Sequence, residues 1–147
     1  MELNEFLKEV NCEEDIVKRV KKDGFALFHE GQTERVCIEA VRQNPWALRF
    51  VKEQTEKICL AAVEKDEDAL QYVKNQTLEI CLAAIKRNGN ALQYVKNKTE
   101  EIYLETIKEN GFALEFIKDQ TEKVCIEAVK QNGCALKYIK TQTEKYV

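Results

Sequence analysis

Three sets of side chains in this sequence could carry chemistry or recognition: six cysteines, a series of evenly spaced lysines and a parallel series of aromatics. The cysteines are Cys12, Cys37, Cys59, Cys81, Cys125 and Cys134. Four of them, Cys37, Cys59, Cys81 and Cys125, fall on one 22-residue spacing, with Tyr103 in the intervening place. That is not the spacing of a zinc site, and His29 is the single histidine. Equivalent positions on neighbouring helices lie roughly 8–10 Å apart, beyond the Cα separation a disulfide accepts. The four are therefore expected to be small buried hydrophobes. All six should titrate as free thiols, which suits a reducing compartment. No metal and no cofactor is expected. Cys134 differs in place, because it follows Gly133 near the start of a second helical segment, where a helix dipole can lower a thiol pKa. No histidine is near it in sequence, and no catalytic role is expected of it. His29 interrupts a degenerate copy and is read as structural or solvent-facing.

Other nucleophile and cofactor chemistry finds little material. The chain has no serine. Its carboxylates sit at helix starts and on polar faces, where solvated charge is the ordinary reading. Neither a Gly-rich phosphate loop nor a dinucleotide fingerprint is present. An enzyme is not expected.

The lysines Lys52, Lys74, Lys96, Lys118 and Lys140 share one position of the same spacing. Two residues before each comes an aromatic, Phe50, Tyr72, Tyr94, Phe116 or Tyr138, and Phe28 extends that row. Basic and aromatic rows on helical repeats are the equipment of RNA readers that take one base per repeat. The aromatics, however, belong to an apolar stripe and are expected in the core. Glu34, Glu56, Glu100, Glu122 and Glu144 form an acidic row beside the lysines. With 23 Lys and Arg against 26 Asp and Glu, the net charge is −3, which is not the footprint of a typical nucleic-acid binder.

The elements that position these rows follow from the repeat itself. Thr33, Thr55, Thr77, Thr99, Thr121 and Thr143 are each 22 residues apart, and the copies starting at Gln54 and Gln76 agree at 14 of 22 positions. A fixed period of this kind marks a stacked repeat array. Five complete copies run over 32–141, a truncated sixth over 142–147, and a degenerate copy one residue short over 11–31. Within a copy, Thr55 reads as an N-cap and Glu56 as a favourable charge on the helix dipole. Ile58, Cys59, Ala62 and Val63 then form one helical stripe. The stripe ends at Asp66, where other copies have Asn88-Gly89, Asn110-Gly111 and Asn132-Gly133, residues that tolerate the left-handed conformation closing a helix. Ala69, Leu70, Tyr72 and Val73 make a second stripe, predicting a shorter helix that is partly 3₁₀. Leucine-rich repeats have a similar period, but the second stripe does not alternate as a strand would. Helices this short are marginal alone, so each copy must bury its stripes against its neighbours.

The recurring pattern is Gln-Thr-Glu-x-Ile/Val-Cys, then Asn-Gly-x-Ala-Leu-x-Tyr/Phe-Val/Ile-Lys. Gln120-Thr121-Glu122-Lys123-Val124-Cys125 and Asn132-Gly133-Cys134-Ala135-Leu136-Lys137-Tyr138-Ile139-Lys140 show it well. Over residues 11–147 the chain resembles family 4116 of the domains of unknown function. The resemblance implies a helical repeat protein and implies no activity or site residues.

The expected architecture is all-α, a right-handed-type α-solenoid of 22-residue helix-turn-helix repeats forming a single domain over 1–147. Residues 1–31 form its N-terminal cap and degenerate copy, with Leu3, Phe6, Leu7 and Val10 on the capping face. The expected function is a non-enzymatic scaffold for protein–protein interaction. A binding edge is expected just past the turn, where Trp46, Asp68, Asn90, Phe112 and Cys134 vary between otherwise similar copies; aromatics are enriched at hot spots. Leu78, in place of a recurrent glutamate, is a second exposed apolar candidate. The alternatives are nucleic-acid binding along the lysine row and an oligomerising module joined through an uncapped C-terminal end. No apolar run approaches the ~18 residues of a membrane span, and Met1-Glu2-Leu3-Asn4-Glu5 does not start a secretory signal. A cytoplasmic protein with an unidentified protein partner is expected.

Overall fold

The structure, a computed structural model, describes residues 2–29 and 31–140 and, of residues 6–11 and 27–29, the backbone alone. The capping face of Phe6, Leu7 and Val10, the side chains of Phe28 and His29, and the truncated copy 142–147 with Glu144 lie outside that description. The chain divides into two compact units, Met1–Asn75 and Gln76–Val147, and the division falls at a boundary between copies. In the first unit, α1 (Leu3–Lys22), α2 (Glu34–Gln43) and α3 (Glu56–Lys65) are each followed by a 3₁₀ helix: η1 (Gly24–His29), η2 (Pro45–Phe50) and η3 (Glu67–Tyr72). In the second, α4 (Leu78–Arg87), α5 (Glu100–Glu109) and α6 (Glu122–Gln131) alternate with η4 (Gly89–Tyr94), η5 (Gly111–Phe116) and η6 (Gly133–Tyr138). Within each unit successive α-helices pack side by side, each 3₁₀ helix packs on the α-helix of its own copy, and η1, η2, η4 and η5 pack on the next copy as well. Among the described residues there is no strand, and no helix is long and apolar enough to cross a membrane.

Each ten-residue helix starts where a threonine stops the preceding extended chain. Thr33, Thr55, Thr77, Thr99 and Thr121 are N-caps whose hydroxyl oxygens accept from the backbone N–H three residues on, a cap worth about 1 kcal/mol. Such hydroxyls also donate to a glutamate of the preceding copy, as Thr33 does to Glu13, Thr55 to Glu34 and Thr121 to Glu100. The acidic row thus has a structural partner. The buried face is the expected one, with Ile58, Cys59, Ala62, Val63, Ala69, Leu70 and Val73 all at 1–2% exposure or less. Burying each larger aliphatic side chain contributes about 1.5–3 kcal/mol. Thr106 takes the place of the recurrent alanine in α5 and is fully buried. Its hydroxyl donates to the Ile102 carbonyl at 2.7 Å, which satisfies the one polar group added to that core.

Three expectations need correction. The helices do not close through a left-handed residue: among the described residues none has positive φ. Instead Asn44, Asp66, Asn88, Asn110 and Asn132 are extended, with φ between −143° and −154°. Each closes the α-helix with its own N–H and opens the 3₁₀ helix with its side-chain oxygen, which accepts from the N–H two residues on. An Asx side chain needs no glycine for this, so Pro45 and Glu67 can follow it as readily as Gly89. The second helix, next, is six residues of 3₁₀ throughout. Lastly, α1 runs unbroken through the capping stretch and the first half of the degenerate copy, and Leu3 is 71% exposed.

Candidate functional site

The lysine row is held by a residue whose part is invisible in the linear pattern. Gln32, Gln54, Gln76 and Gln120 open their copies, and each folds its side-chain amide onto the end of the same copy. The Nε2 of Gln54 donates to the Tyr72 carbonyl at 3.0 Å, and its Oε1 accepts the Lys74 N–H at 2.9 Å. Gln32 makes the same pair with Phe50 and Lys52, Gln76 with Tyr94 and Lys96, and Gln120 with Tyr138 and Lys140. Gln54 and Gln120 also donate to the preceding 3₁₀ helix, at the Leu48 and Leu114 carbonyls. The amide therefore clasps the copy shut around an extended aromatic-x-Lys segment. The ladder ammonium groups are drawn into the framework too. Lys74 Nζ donates to the Val51 and Lys52 carbonyls, and Lys140 Nζ to that of Ile117.

The aromatic row is not core. Phe50, Tyr72, Tyr94 and Tyr138 are half-buried, and Phe116 is 59% exposed. They form the seat for the variable edge. Trp46, half-buried, sets its ring edge-to-face on Tyr72 at 5.5 Å, and Phe112 sits likewise on Tyr138 at 6.2 Å. Phe25 does the same on Phe50, with the Arg49 guanidinium over both rings. Of the other edge residues, Asp68 is half-buried, with its carboxyl pushed up by burial and then by the charges of Asp66 and Glu67. Asn90 and Cys134 are exposed, as are Leu78 and Lys52, Lys74, Lys96, Lys118 and Lys140. The edge residues are thus the second residues of successive 3₁₀ helices. In the first unit they are Trp46 and Asp68; in the second, Asn90, Phe112 and Cys134.

All six cysteines are free thiols, four buried and two, Cys12 and Cys134, exposed. Burial pushes the Cys37 and Cys59 thiols up to about 11, with Glu34 and Glu56 adding to it, and raises Cys81 and Cys125 by burial alone. The pH consequence has a definite sign. Above the ordinary thiol value of 9.0 the unfolded chain loses protons that the folded chain retains until about 11. The contribution is therefore complete below pH 9 and declines as pH rises toward 11. With Ellman's reagent at pH 8, Cys12 and Cys134 are expected to react at once and the other four only as the chain unfolds. Rapid reaction of more than two thiols in the folded protein would contradict this burial.

One copy departs from the scheme at two linked positions. Cys59 and Cys81 lie 3.9 Å from the Oε1 of Gln54 and Gln76. In the copy that opens at residue 98, Lys98 replaces the glutamine and Tyr103 the cysteine. Lys98 Nζ turns back to the Val95 carbonyl at 2.6 Å. The Phe116 carbonyl and the Lys118 N–H, the pair a glutamine clasps elsewhere, have no hydrogen-bond partner among the described residues. Here the second unit opens a cleft of about 540 Å³ between η4 and η5, floored by Leu92 and Tyr103 and flanked by Asn90, Gln93, Phe116 and Lys118. Tyr103 is buried, and its hydroxyl pKa is raised by that burial and by the charge of Asp119. Sequence reasoning registered Tyr103 only as a missing cysteine. The signal it passed over was Lys98, the one complete copy without glutamine before its threonine.

Comparison with known families matches residues 55–99, 77–120 and 99–142 to a single family. No curated protein and no solved structure matches the chain. Overlapping matches, each beginning at a capping threonine and running on to the next copy, are what a tandem array produces, and on them the chain belongs to the family described as Domain of unknown function (DUF4116).

Proposed function

We propose that the chain is a non-enzymatic scaffold that binds a partner protein, its 22-residue copies stacking as a right-handed-type α-solenoid. The observation that carries this reading is the aromatic surface of the second unit, where Phe112 is 40% exposed and Phe116, 59% exposed, lines an open cleft. Exposed aromatics next to a preformed depression are the equipment of a protein-binding hot spot. The polar groups support the non-enzymatic part, since glutamates, glutamines and lysines of the repeat are engaged in joining copies. Four buried thiols fit a reducing, cytoplasmic setting. Nucleic-acid binding along the lysine row is less well supported, because Lys74 and Lys140 donate their ammonium protons to backbone carbonyls.

The test is capture from host lysate under reducing conditions, with and without nuclease, by wild type and by a Phe112→Ala/Phe116→Ala variant that melts like wild type. The expected result is a protein retained after nuclease and lost from the variant. Loss on nuclease treatment would transfer the function to the lysine row. Equal capture by both forms would remove this surface. Self-association alone, read by light scattering, would replace the scaffold by an oligomerising module.

A further inference from the structure

We infer that the cleft between η4 and η5 recognises a primary carboxamide, the side-chain amide of a glutamine presented by a partner protein. The inference deepens the scaffold reading and rests on it. Its basis is a recognition event the chain performs four times on itself. At Gln32, Gln54, Gln76 and Gln120 a carboxamide donates to the carbonyl of an aromatic residue and accepts the N–H of the lysine two residues on, at 2.8–3.0 Å. The backbone that offers this pair is extended in every copy, with φ −70° to −85° and ψ 116–121° at the intervening residue. In the copy opened by Lys98 the same backbone is present, with Ile117 at φ −85° and ψ 119°. Phe116 and Lys118 line the open cleft, the Phe116 carbonyl and the Lys118 N–H have no hydrogen-bond partner among the described residues, and the Lys98 side chain is held away at Val95.

The surroundings fit the rest of such a side chain. Leu92, Tyr103 and Phe116 offer apolar surface for its methylenes, and Asn90 and Gln93 offer further donors and acceptors at the rim. The volume, about 540 Å³, is within the range of small-ligand sites. A carboxylate is a poorer match at the backbone pair. It can accept from Lys118, but its second oxygen would face the Phe116 carbonyl, acceptor against acceptor. Attraction to the Lys98 and Lys118 ammonium groups opposes that preference, so the experiment must separate charge from hydrogen-bond pattern.

The probe is the blocked tripeptide acetyl-Ala-Gln-Ala-N-methylamide, in which glutamine carries the only primary carboxamide. It is titrated into the full chain while the Lys118 amide is followed by ¹H–¹⁵N NMR. Two analogues replace glutamine by glutamate and by its N,N-dimethyl amide, which retains the acceptor and loses the donor. The glutamine peptide is expected to shift Lys118 and Ile117 with roughly millimolar affinity, and each analogue to bind about fivefold more weakly, as loss of one hydrogen bond implies. A Lys98→Gln/Tyr103→Cys variant restores the internal clasp and is expected to lose the response while melting at a higher temperature. Equal shifts from the glutamine and glutamate peptides would assign the cleft to charge and overturn the inference. So would no shift with any peptide, or an undiminished response in the variant. If lysate capture by the Lys98→Gln/Tyr103→Cys variant equals that of wild type, the carboxamide site falls and the scaffold reading stands. Peptide binding without any captured protein would sink the scaffold reading instead.

Discussion

Alanine at Gln54 is expected to destabilise the first unit by about 2–3 kcal/mol, far more than a polar-to-alanine change on a protein surface. The substitution removes the amide that donates to the Tyr72 and Leu48 carbonyls and accepts the Lys74 N–H. It also strips the acceptor beside the Cys59 thiol. Each of these groups is part-buried or lies in a segment without other secondary structure, so water replaces the amide only in part. Loss of the clasp also removes one of the bonds that hold the Val73–Lys74 segment, beside the Val73 N–H to the Leu70 carbonyl and the Lys74 ammonium to Val51 and Lys52. The check is urea denaturation followed by far-ultraviolet circular dichroism, with Lys98→Ala as the control at the equivalent place. Lys98 clasps nothing in its own copy, and its replacement is expected to stay within about 0.5 kcal/mol of wild type. Similar losses from both substitutions would show that the amide pair contributes nothing beyond an ordinary side chain.

The second large effect concerns two glycines in the same sequence context with opposite outcomes. Gly24 and Gly89 both follow an Asx cap and open a 3₁₀ helix. A Cβ at Gly24 would lie 2.7 Å from the Ala40 carbonyl oxygen and 2.9 Å from Asn44 Cβ. The nearest atom there is backbone at the closing turn of α2 and cannot rotate aside. Gly24→Ala is expected to cost about 2–3 kcal/mol through forced separation of the two copies. At Gly89 the nearest atom would be Thr106 Cγ2 at 4.0 Å, an ordinary contact. Gly89→Ala is expected to be neutral or to stabilise by about 0.4–1 kcal/mol, because it narrows the unfolded ensemble. Thermal melts of the two variants decide the matter, and a loss at Gly89 equal to that at Gly24 would refute the difference in copy spacing. The slack at Gly89 and the cleft between η4 and η5 belong to one seam: where Thr106, Tyr103 and Lys98 replace the usual residues, the copies stand further apart.

Much of this arrangement was legible because it depends on local spacing. A threonine before an apolar stripe announces a cap, and Ile58, Cys59, Ala62 and Val63 announce the face it buries. The junction was misread because Asn-Gly suits a left-handed closure so well. Pro45 and Glu67 at the glycine position were the evidence against it, since proline cannot take positive φ. The aromatic row was assigned to the core from periodicity alone, yet Phe50, Tyr72, Tyr94, Phe116 and Tyr138 are each the last residue of a 3₁₀ helix, where the chain leaves for the linker, and they end half-buried or, at Phe116, exposed. The glutamine itself recurs with the copy, but nothing in that recurrence names the groups its amide clasps. Its partners are backbone groups 18 and 20 residues away, which any residue type supplies, so they leave no mark in the sequence; only the copy that breaks the rule, at Lys98, exposes what the others do.

The Asx junction also governs how such a chain can change its length. One residue ends the α-helix and begins the 3₁₀ helix, so no loop intervenes in which an inserted or deleted residue could be absorbed. The linker after the 3₁₀ helix is different: four residues separate Phe50 from the cap Thr55, but three separate His29 from Thr33. The degenerate copy therefore loses its residue in the linker, while its Asp23 junction is intact, with the Phe25 N–H bonded to the Asp23 side chain. In genetic terms, the reading frame tolerates small indels at one phase of the copy and whole-unit duplication or excision at any, and a lineage of such arrays should differ by entire copies and by ragged linkers, with junctions of constant length.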